Sequence, residues 1–255
     1  MKSNRVFVSS IIDKDYNWIY HEALLFLKTF RRVYPRDKIF IYYPGKDIKI
    51  KLLLKKHKVN IIRNLNIENN YYAIKPTLCY YIANKYQIDY LTWTDIDSVF
   101  YKSNKPQIEI LKHPKNDYTL KNNKLIYLTS KIFKTKEVKI HTSSAIFTLD
   151  KKTINKYFLN FKKLFKKLSK NKGIYNKIYK NISLDFLERT LEEFSFNLSI
   201  LNIRKSYNNH LEYFGKKVRK NISCHDHYYI DRIQLKPKIL QKDEYKLYRL
   251  KENIG

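Results

Sequence analysis

Asp89-Tyr90-Leu91-Thr92-Trp93-Thr94-Asp95-Ile96-Asp97-Ser98-Val99-Phe100 is the stretch whose reading decides the fold. An apolar, aromatic and β-branched run ends in two aspartates one residue apart. Such a run reads as a buried strand that delivers two carboxylates where it emerges. Alternation sets Asp95 and Asp97 on one side of the chain and Ile96 on the other. Carboxylates this close repel unless a positive charge sits between them, and a hard divalent cation such as Mg2+ or Mn2+ is the usual solution. Two turn aspartates at a strand end would look the same, so the surroundings carry the decision.

Upstream, Arg5 to Ile12 is β-branched and lacks a helical period, and so reads as a strand broken by Asp13-Lys14-Asp15-Tyr16. From Asn17 to Val33 apolar residues recur at helical spacing, with Pro35 closing the helix. Lys38 to Tyr43 is a second strand, stopped by Pro44-Gly45. Ile48 to His57 is a short basic helix and Val59 to Leu65 a third strand. Lys75-Pro76-Thr77 opens a helix that runs to about Tyr86, with Pro76 in the first turn where its missing N–H costs nothing. Strand and helix alternating in this way predict a mainly parallel sheet wound by right-handed crossovers. Ligands of such sheets collect at the carboxyl ends of strands, where Asp95, Asp97 and the loop from Ser9 to Tyr16 are expected.

Downstream, Tyr118 to Leu120 and Lys124 to Thr129 read as short strands, and Val138 to Leu149 as a polar kink leading into a buried strand stopped by Asp150. Thr153 to Lys170 is a basic amphipathic helix with Tyr157, Phe158, Phe161 and Leu164 on one face. Leu184 to Asn202 is helical, in one piece or two, and Asn221 to Cys224 is a last short strand before His225-Asp226-His227. Thr190 to Glu193 fits a capping box. No linker or repeat divides the chain, so residues 1–255 are expected to form one domain, with a change of pattern after Phe100 setting residues 1–100 apart from 101–255.

Composition narrows the classes. The 255 residues suffice for one well-packed core. No stretch approaches the ~20 apolar residues of a spanning helix. The N-terminus leads directly into a strand and is not read as a signal peptide. Cys79 and Cys224 are the two cysteines, which excludes a disulfide framework or zinc ribbon and makes a cytoplasmic setting the expectation. The four glycines are scattered singly, so neither a G-x-G-x-x-G fingerprint nor a P-loop can be written. A nucleotide would have to be held another way, and a metal on Asp95 and Asp97 would do it. The formal net charge of +29 attracts anions of every kind. Abundant Lys, Asn, Ile and Tyr, as an AT-rich coding sequence produces, account for part of it, so basicity alone names no partner. Peripheral contact of the basic 153–170 helix with an acidic membrane is one expectation.

Four segments in order carry a family resemblance. They are Val8-Ser9-Ser10-Ile11-Ile12-Asp13-x-x-Tyr16 with its following helix, Thr94-Asp95-Ile96-Asp97, His141-Thr142-Ser143-Ser144-Ala145-Ile146-Phe147, and the late histidines before Lys236-Pro237. In this arrangement the chain resembles a glycosyltransferase of the GT-A fold, most similar to the group containing glycogenin and the lipopolysaccharide galactosyltransferases. The resemblance implies a Rossmann-like α/β fold with a mainly parallel sheet, a smaller acceptor-side sheet and a helical C-terminal part. It implies that Ser9, Ser10 and Tyr16 line the base and ribose pocket and that Lys75 adds charge at the diphosphate. Asp95 would touch ribose and metal, Asp97 would bind the metal, and His225 or His227 would complete the shell. His225 is favoured because it directly follows the strand. An acid at the start of the late helix, Glu192 or Glu193, would deprotonate the acceptor, with Asp185 and Glu188 competing. The chain departs from the family where Asn-x-Gly is replaced by Thr142-Ser143-Ser144-Ala145, and where the His-x-x-Gly-x-x-Lys-Pro signature lacks its glycine and is stretched.

The expected activity is therefore a Mn2+- or Mg2+-dependent transfer from a nucleotide sugar, a UDP-sugar first, to a glycan, glycolipid or protein hydroxyl. A nucleic-acid-binding protein using its charge and 23 tyrosines is the alternative from another class. Its aromatics, however, fall within apolar periodic segments, where they read as core. A catalytically inactive GT-A-like binding domain is the third reading, and the intact Asp95-Ile96-Asp97 argues against it.

Overall fold

A computed structural model describes residues 4–12, 19–67, 71–96, 98–100, 103, 105–112, 142–170, 184–201, 203, 206–209 and 225–226. In chain order these form β1 (Arg5–Ser10), α1 (Ile19–Val33), β2 (Lys38–Tyr42), α2 (Ile48–Lys56), β3 (Asn60–Ile62), α3 (Ile74–Lys85), β4 (Tyr90–Thr94), β5 (Val99–Phe100), β6 (Glu109–Lys112), β7 (Thr142–Asp150), α4 (Lys151–Lys170), α5 (Leu184–Ser199), β8 (Ser206–Asn209) and β9 (His225–Asp226). A short 3-10 turn, Tyr71–Ala73, leads into α3. No helix among the described residues is long and apolar enough to cross a membrane.

The main sheet has seven strands in the order β3-β2-β1-β4-β7-β6-β8. β1 runs parallel to β2 and β4, and β2 runs parallel to β3. β7 is antiparallel to both β4 and β6, while β6 and β8 are parallel. The fold is thus α/β with a mixed, Rossmann-like sheet. The chain winds outward from β1 in one direction to β2 and β3, then crosses to the other side of β1 to lay down β4. Between β1 and β4 the winding reverses, and at such a switch the helices leave a crevice at the carboxyl ends of the strands.

Alternation along the strands supplies two cores. Val6, Val8, Leu91, Trp93 and Phe147 face α3, α4 and α5, packing with Leu78, Ile82, Tyr157 and Phe196. Phe7, Ile39 and Ile41 face the other way, onto Phe26 and Phe30 of α1 and Leu53 and Leu54 of α2. Each such side chain, fully withdrawn from water, stabilises by about 1.5–3 kcal/mol. Phe100 joins the second core, its ring 5.2 Å from those of Phe26 and Phe30. Thr29 Oγ1 accepts the Phe100 N–H at 3.2 Å, and the Arg32 guanidinium donates to the Phe100 carbonyl at 3.0 Å. β5 is therefore clamped to α1, which anchors the chain just beyond Asp95.

α2 is bounded by two local devices. Asp47 accepts the N–H groups of Lys49 and Ile50 at 2.6 and 3.2 Å, a side-chain N-cap. At the other end Val59 N–H reaches Leu54 O and Lys58 N–H reaches Lys55 O, both at 3.0 Å, the paired bonds of a Schellman ending. Lys58 takes the left-handed conformation there, with φ 52°.

Several expectations need correction. β6 and β8 carry no alternation signal (Glu-Ile-Leu-Lys and Ser-Tyr-Asn-Asn), and pairing alone makes them strands. α4 starts at Lys151 because Asp150 Oδ1 accepts the Thr153 N–H at 2.7 Å, so Asp150 both ends β7 and caps the helix. α5 already begins at Leu184, which places Thr190 inside it and rules out a capping box at Thr190 to Glu193. The last strand is His225–Asp226, so His225 lies in it and does not follow it. The strands expected at 118–120, 124–129 and 221–224 lie outside the described residues.

Candidate functional site

The carboxyl end of β4 is where the chain assembles ionisable groups. Lys75 stands in the first turn of α3 and turns its ammonium toward that end. Its Nζ donates to Ser144 O at 3.0 Å and to Ser144 Oγ at 3.2 Å. Asp95 Oδ1 and Glu192 Oε2 each lie 3.7 Å from it, and the Trp93 ring centre lies 5.4 Å away. Residues of α3, β4, β7 and α5, with the turn after β4, thus meet at one cation.

Glu192 is the inner anchor. Its side chain is 5% exposed. Tyr157 OH, from α4, donates to Oε1, and Ser144 Oγ donates to Oε2 at 2.8 Å. Lys75, Tyr157 and Ser144 all present protons to it, which suits an acceptor-only carboxylate. Burial, helped by the neighbouring Glu193 charge, pushes the Glu192 carboxyl above its usual range, against the opposing pull of Lys75, Tyr157 and Ser144. For Lys75 burial works to lower the ammonium, but Asp95 and then Glu192 outweigh it, so it titrates above its usual value. The Tyr157 phenol is raised well above its usual value by burial and by the neighbouring Glu192 carboxylate. Cys79, one turn past Lys75, is buried, and its thiol is likewise raised well above the usual range by burial.

Asp95 is the outer end of the group. Its side chain is 32% exposed against 16% for Lys75. Trp93 Nε1 donates to Oδ1 at 2.7 Å, and the Asp95 N–H bonds to Ala145 O at 3.1 Å. Ser98 N–H then closes back on Asp95 O at 3.1 Å, so the chain turns immediately after β4. Ile96 in this turn packs toward the α1 side. Ser144 owes its position to an irregularity: β6 pairs Ile110 with Phe147 and then Leu111 with Ser143, which leaves Ser144 to Ile146 without a β6 partner. Bulges of this kind re-aim side chains and free backbone groups at sheet rims. Here the Ser144 carbonyl and hydroxyl are delivered to Lys75.

The residues expected from the sequence divide clearly. Lys75, Asp95 and Glu192 are brought together, and Glu193 follows as a half-buried neighbour. Ser9 is fully buried at the end of β1, with no hydrogen-bond partner for its hydroxyl among the described residues. Alternation gives Ser9 the same face as Phe7 and Ile11, the α1 side, while Ser10 is half-buried on the other. His225 pairs through its backbone with Phe100, in a two-stranded sheet whose other strand begins two residues after Asp97. Tyr16, Asp97 and His227 lie outside the described residues. Among the described residues no three His, Cys, Asp or Glu side chains gather as a metal-ligand group. Asp95, a partly exposed hard oxygen donor at the carboxyl edge, is the described side chain that fits a divalent cation.

Tyr157 and Trp93 are parts of the site that sequence reasoning missed. Tyr157 sits on the apolar face of a basic helix and Trp93 within a buried strand, so both read as core, and both also pack there. Their polar tips offered the one available signal, since a buried phenol or indole N–H needs a partner.

No protein-family model matches the chain, and no curated protein matches it in sequence.

Proposed function

We propose that the chain is a metal-dependent glycosyltransferase of the GT-A type, moving a sugar from a nucleotide donor, a UDP-sugar first, to a glycan, glycolipid or protein hydroxyl. The observation that carries the reading is the meeting of Lys75, Asp95 and Glu192 at the carboxyl end of β4, beside the switch between β1 and β4. In support, the main sheet is largely parallel with a reversed strand, and a second small sheet places the His225 backbone beside the chain that follows Asp97. A mainly parallel sheet with a second, smaller one is what the family resemblance implies.

In this reading Asp95 and Asp97, with His225 or His227, would hold Mn2+ or Mg2+. The cation supplies Lewis-acid stabilisation for a departing nucleoside diphosphate. Lys75 adds a fixed positive charge at the same edge, preorganised because two carboxylates and Ser144 hold it before substrate arrives. Glu192 serves by fixing Lys75 and Ser144 through its carboxylate, while Asp95, more exposed, accepts hydrogen bonds from donor hydroxyls.

The test is a thermal-shift panel of UDP-, GDP- and CMP-sugars with and without Mn2+, on the wild-type chain and on Asp97→Ala. Ligand bound to the folded state raises the melting temperature according to its occupancy. A shift that requires Mn2+ and disappears in Asp97→Ala is expected. Absence of a shift with every donor, alongside salt-sensitive binding of DNA or RNA, would overturn the proposal in favour of a nucleic-acid-binding protein.

A further inference from the structure

α2 is amphipathic in an unusual sense. Ile50, Leu53 and Leu54 face the core, as the helix needs. Ile48 and Leu52, one turn apart, point outward and are 71% and 61% exposed. Lys46, Lys49, Lys55, Lys56 and Lys58 surround them, all exposed. The acid of this segment, Asp47, is committed to capping the helix N-terminus. Two aliphatic side chains are thus held in water at the centre of a ring of ammonium groups.

A single exposed aliphatic residue needs no explanation, whereas an adjacent pair rimmed by cations is the pattern of a surface that meets an anionic bilayer. Lysine stems lie along the acyl boundary while their ammonium groups reach the headgroups, each adding to the attraction of an acidic leaflet. Ile48 and Leu52 would supply the apolar insertion. A nucleic acid would use the cations but give the aliphatic pair nothing to bury against. α4, the other basic helix, has a row of exposed lysines but one exposed large aliphatic side chain, Leu159, among its described residues. The two helices pack on opposite faces of the main sheet, so a flat bilayer engages one or the other.

We propose that α2 docks the protein on anionic membranes, with Ile48 and Leu52 entering the acyl boundary and the surrounding lysines contacting lipid headgroups. The helix begins just after β2 leaves the carboxyl edge of the sheet, the edge that also carries Asp95. The binding does not depend on the transfer reaction and is tested without a sugar donor.

Co-sedimentation with vesicles of phosphatidylcholine alone, or mixed with phosphatidylglycerol, reads it directly. The wild-type chain is expected to sediment with the mixed vesicles only. Ile48→Ser/Leu52→Ser should weaken that binding by about tenfold or more, the loss expected when two aliphatic side chains no longer leave water. Lys156→Gln/Lys162→Gln/Lys163→Gln on α4 should bind as the wild type does. Unchanged melting temperatures of these surface variants would show that the fold is retained. Separately, Leu52→Trp should give a blue-shifted emission on mixed vesicles, relative to the wild-type tryptophans. Binding that survives Ile48→Ser/Leu52→Ser, loss confined to the α4 variant, absence of wild-type binding, or a Leu52→Trp emission unmoved by vesicles would each overturn the proposal.

Discussion

Replacing Lys75 by Met tests whether the polar group at the end of β4 is an electrostatic unit. The wild-type ammonium has two hydrogen bonds to Ser144 and two carboxylates at 3.7 Å. At an effective dielectric near 20, a unit-charge pair at that separation is worth roughly 4 kcal/mol before desolvation is charged against it. Met fills a similar volume, removes the cost of burying an ammonium, and leaves Glu192 and Asp95 without their shared counter-charge. Breaking one side of a buried pair typically costs about 3–5 kcal/mol. Asp95 is partly exposed and Glu192 can take up a proton, so the net loss expected is about 3 kcal/mol, a fall in melting temperature of roughly 6–12 °C. Urea unfolding of Lys75→Met, Glu192→Gln and the double variant measures it. Glu192→Gln should lie within about 1 kcal/mol of wild type, because losing a counter-charge of Lys75 offsets relief of a buried carboxylate. In the Lys75→Met background the same change removes an uncompensated charge and should restore about 1–2 kcal/mol. Effects that add within about 0.5 kcal/mol would refute the coupling.

The pH dependence of that deficit has a definite sign. Lys75 titrates above its usual 10.5, so the stability it contributes is present below 10.5 and is lost as pH rises through the folded value. Glu192 titrates above its usual 4.5, so its protonated form favours folding, and that contribution fades as pH rises through the folded value. Without Lys75 the carboxyl moves higher still. The Lys75→Met deficit should therefore be smallest in acid, grow as Glu192 ionises, and shrink again above pH 10.5.

Lys58 holds a left-handed conformation at the end of α2 with a side chain that disfavours it. Lys58→Gly should stabilise by about 0.5–1 kcal/mol after the added freedom of the unfolded chain is counted, read as a higher urea midpoint. An unchanged or lower midpoint would show that the conformation carries no strain. His57, half-buried beside it, titrates below its usual 6.5, first because of burial and then because of Lys56, Arg31 and Lys28. Its contribution is complete above pH 6.5 and lost as pH falls through the folded value, so His57→Gln should flatten the loss of stability on acidification. Parallel stability profiles for variant and wild type would remove His57 as the cause.

The sequence by itself determined the elements whose instructions are local. β1 and β4 are legible because Val6 to Val8 and Leu91 to Trp93 are β-branched and aromatic runs with turn residues after them. α1 and α4 are legible because their apolar residues recur at helical spacing, and Pro35 and Asp150 punctuate them. The carboxyl-edge position of Asp95 follows from a strand that ends there, whereas Lys75 was expected at the site only because the family resemblance implies it. The tertiary structure alone decided that β7 reverses beside β4, that Glu109–Lys112 and Ser206–Asn209 become strands, and that Ser144 to Ile146 bulge away from β6. It also decided that Glu192 lies within α5, facing Lys75, Ser144 and Tyr157, and is not a residue of that helix's first turn. These outcomes rest on contacts between residues far apart in the chain. A buried carboxylate and a buried ammonium choose each other by being withdrawn from water together, and no local pattern of side chains records that choice.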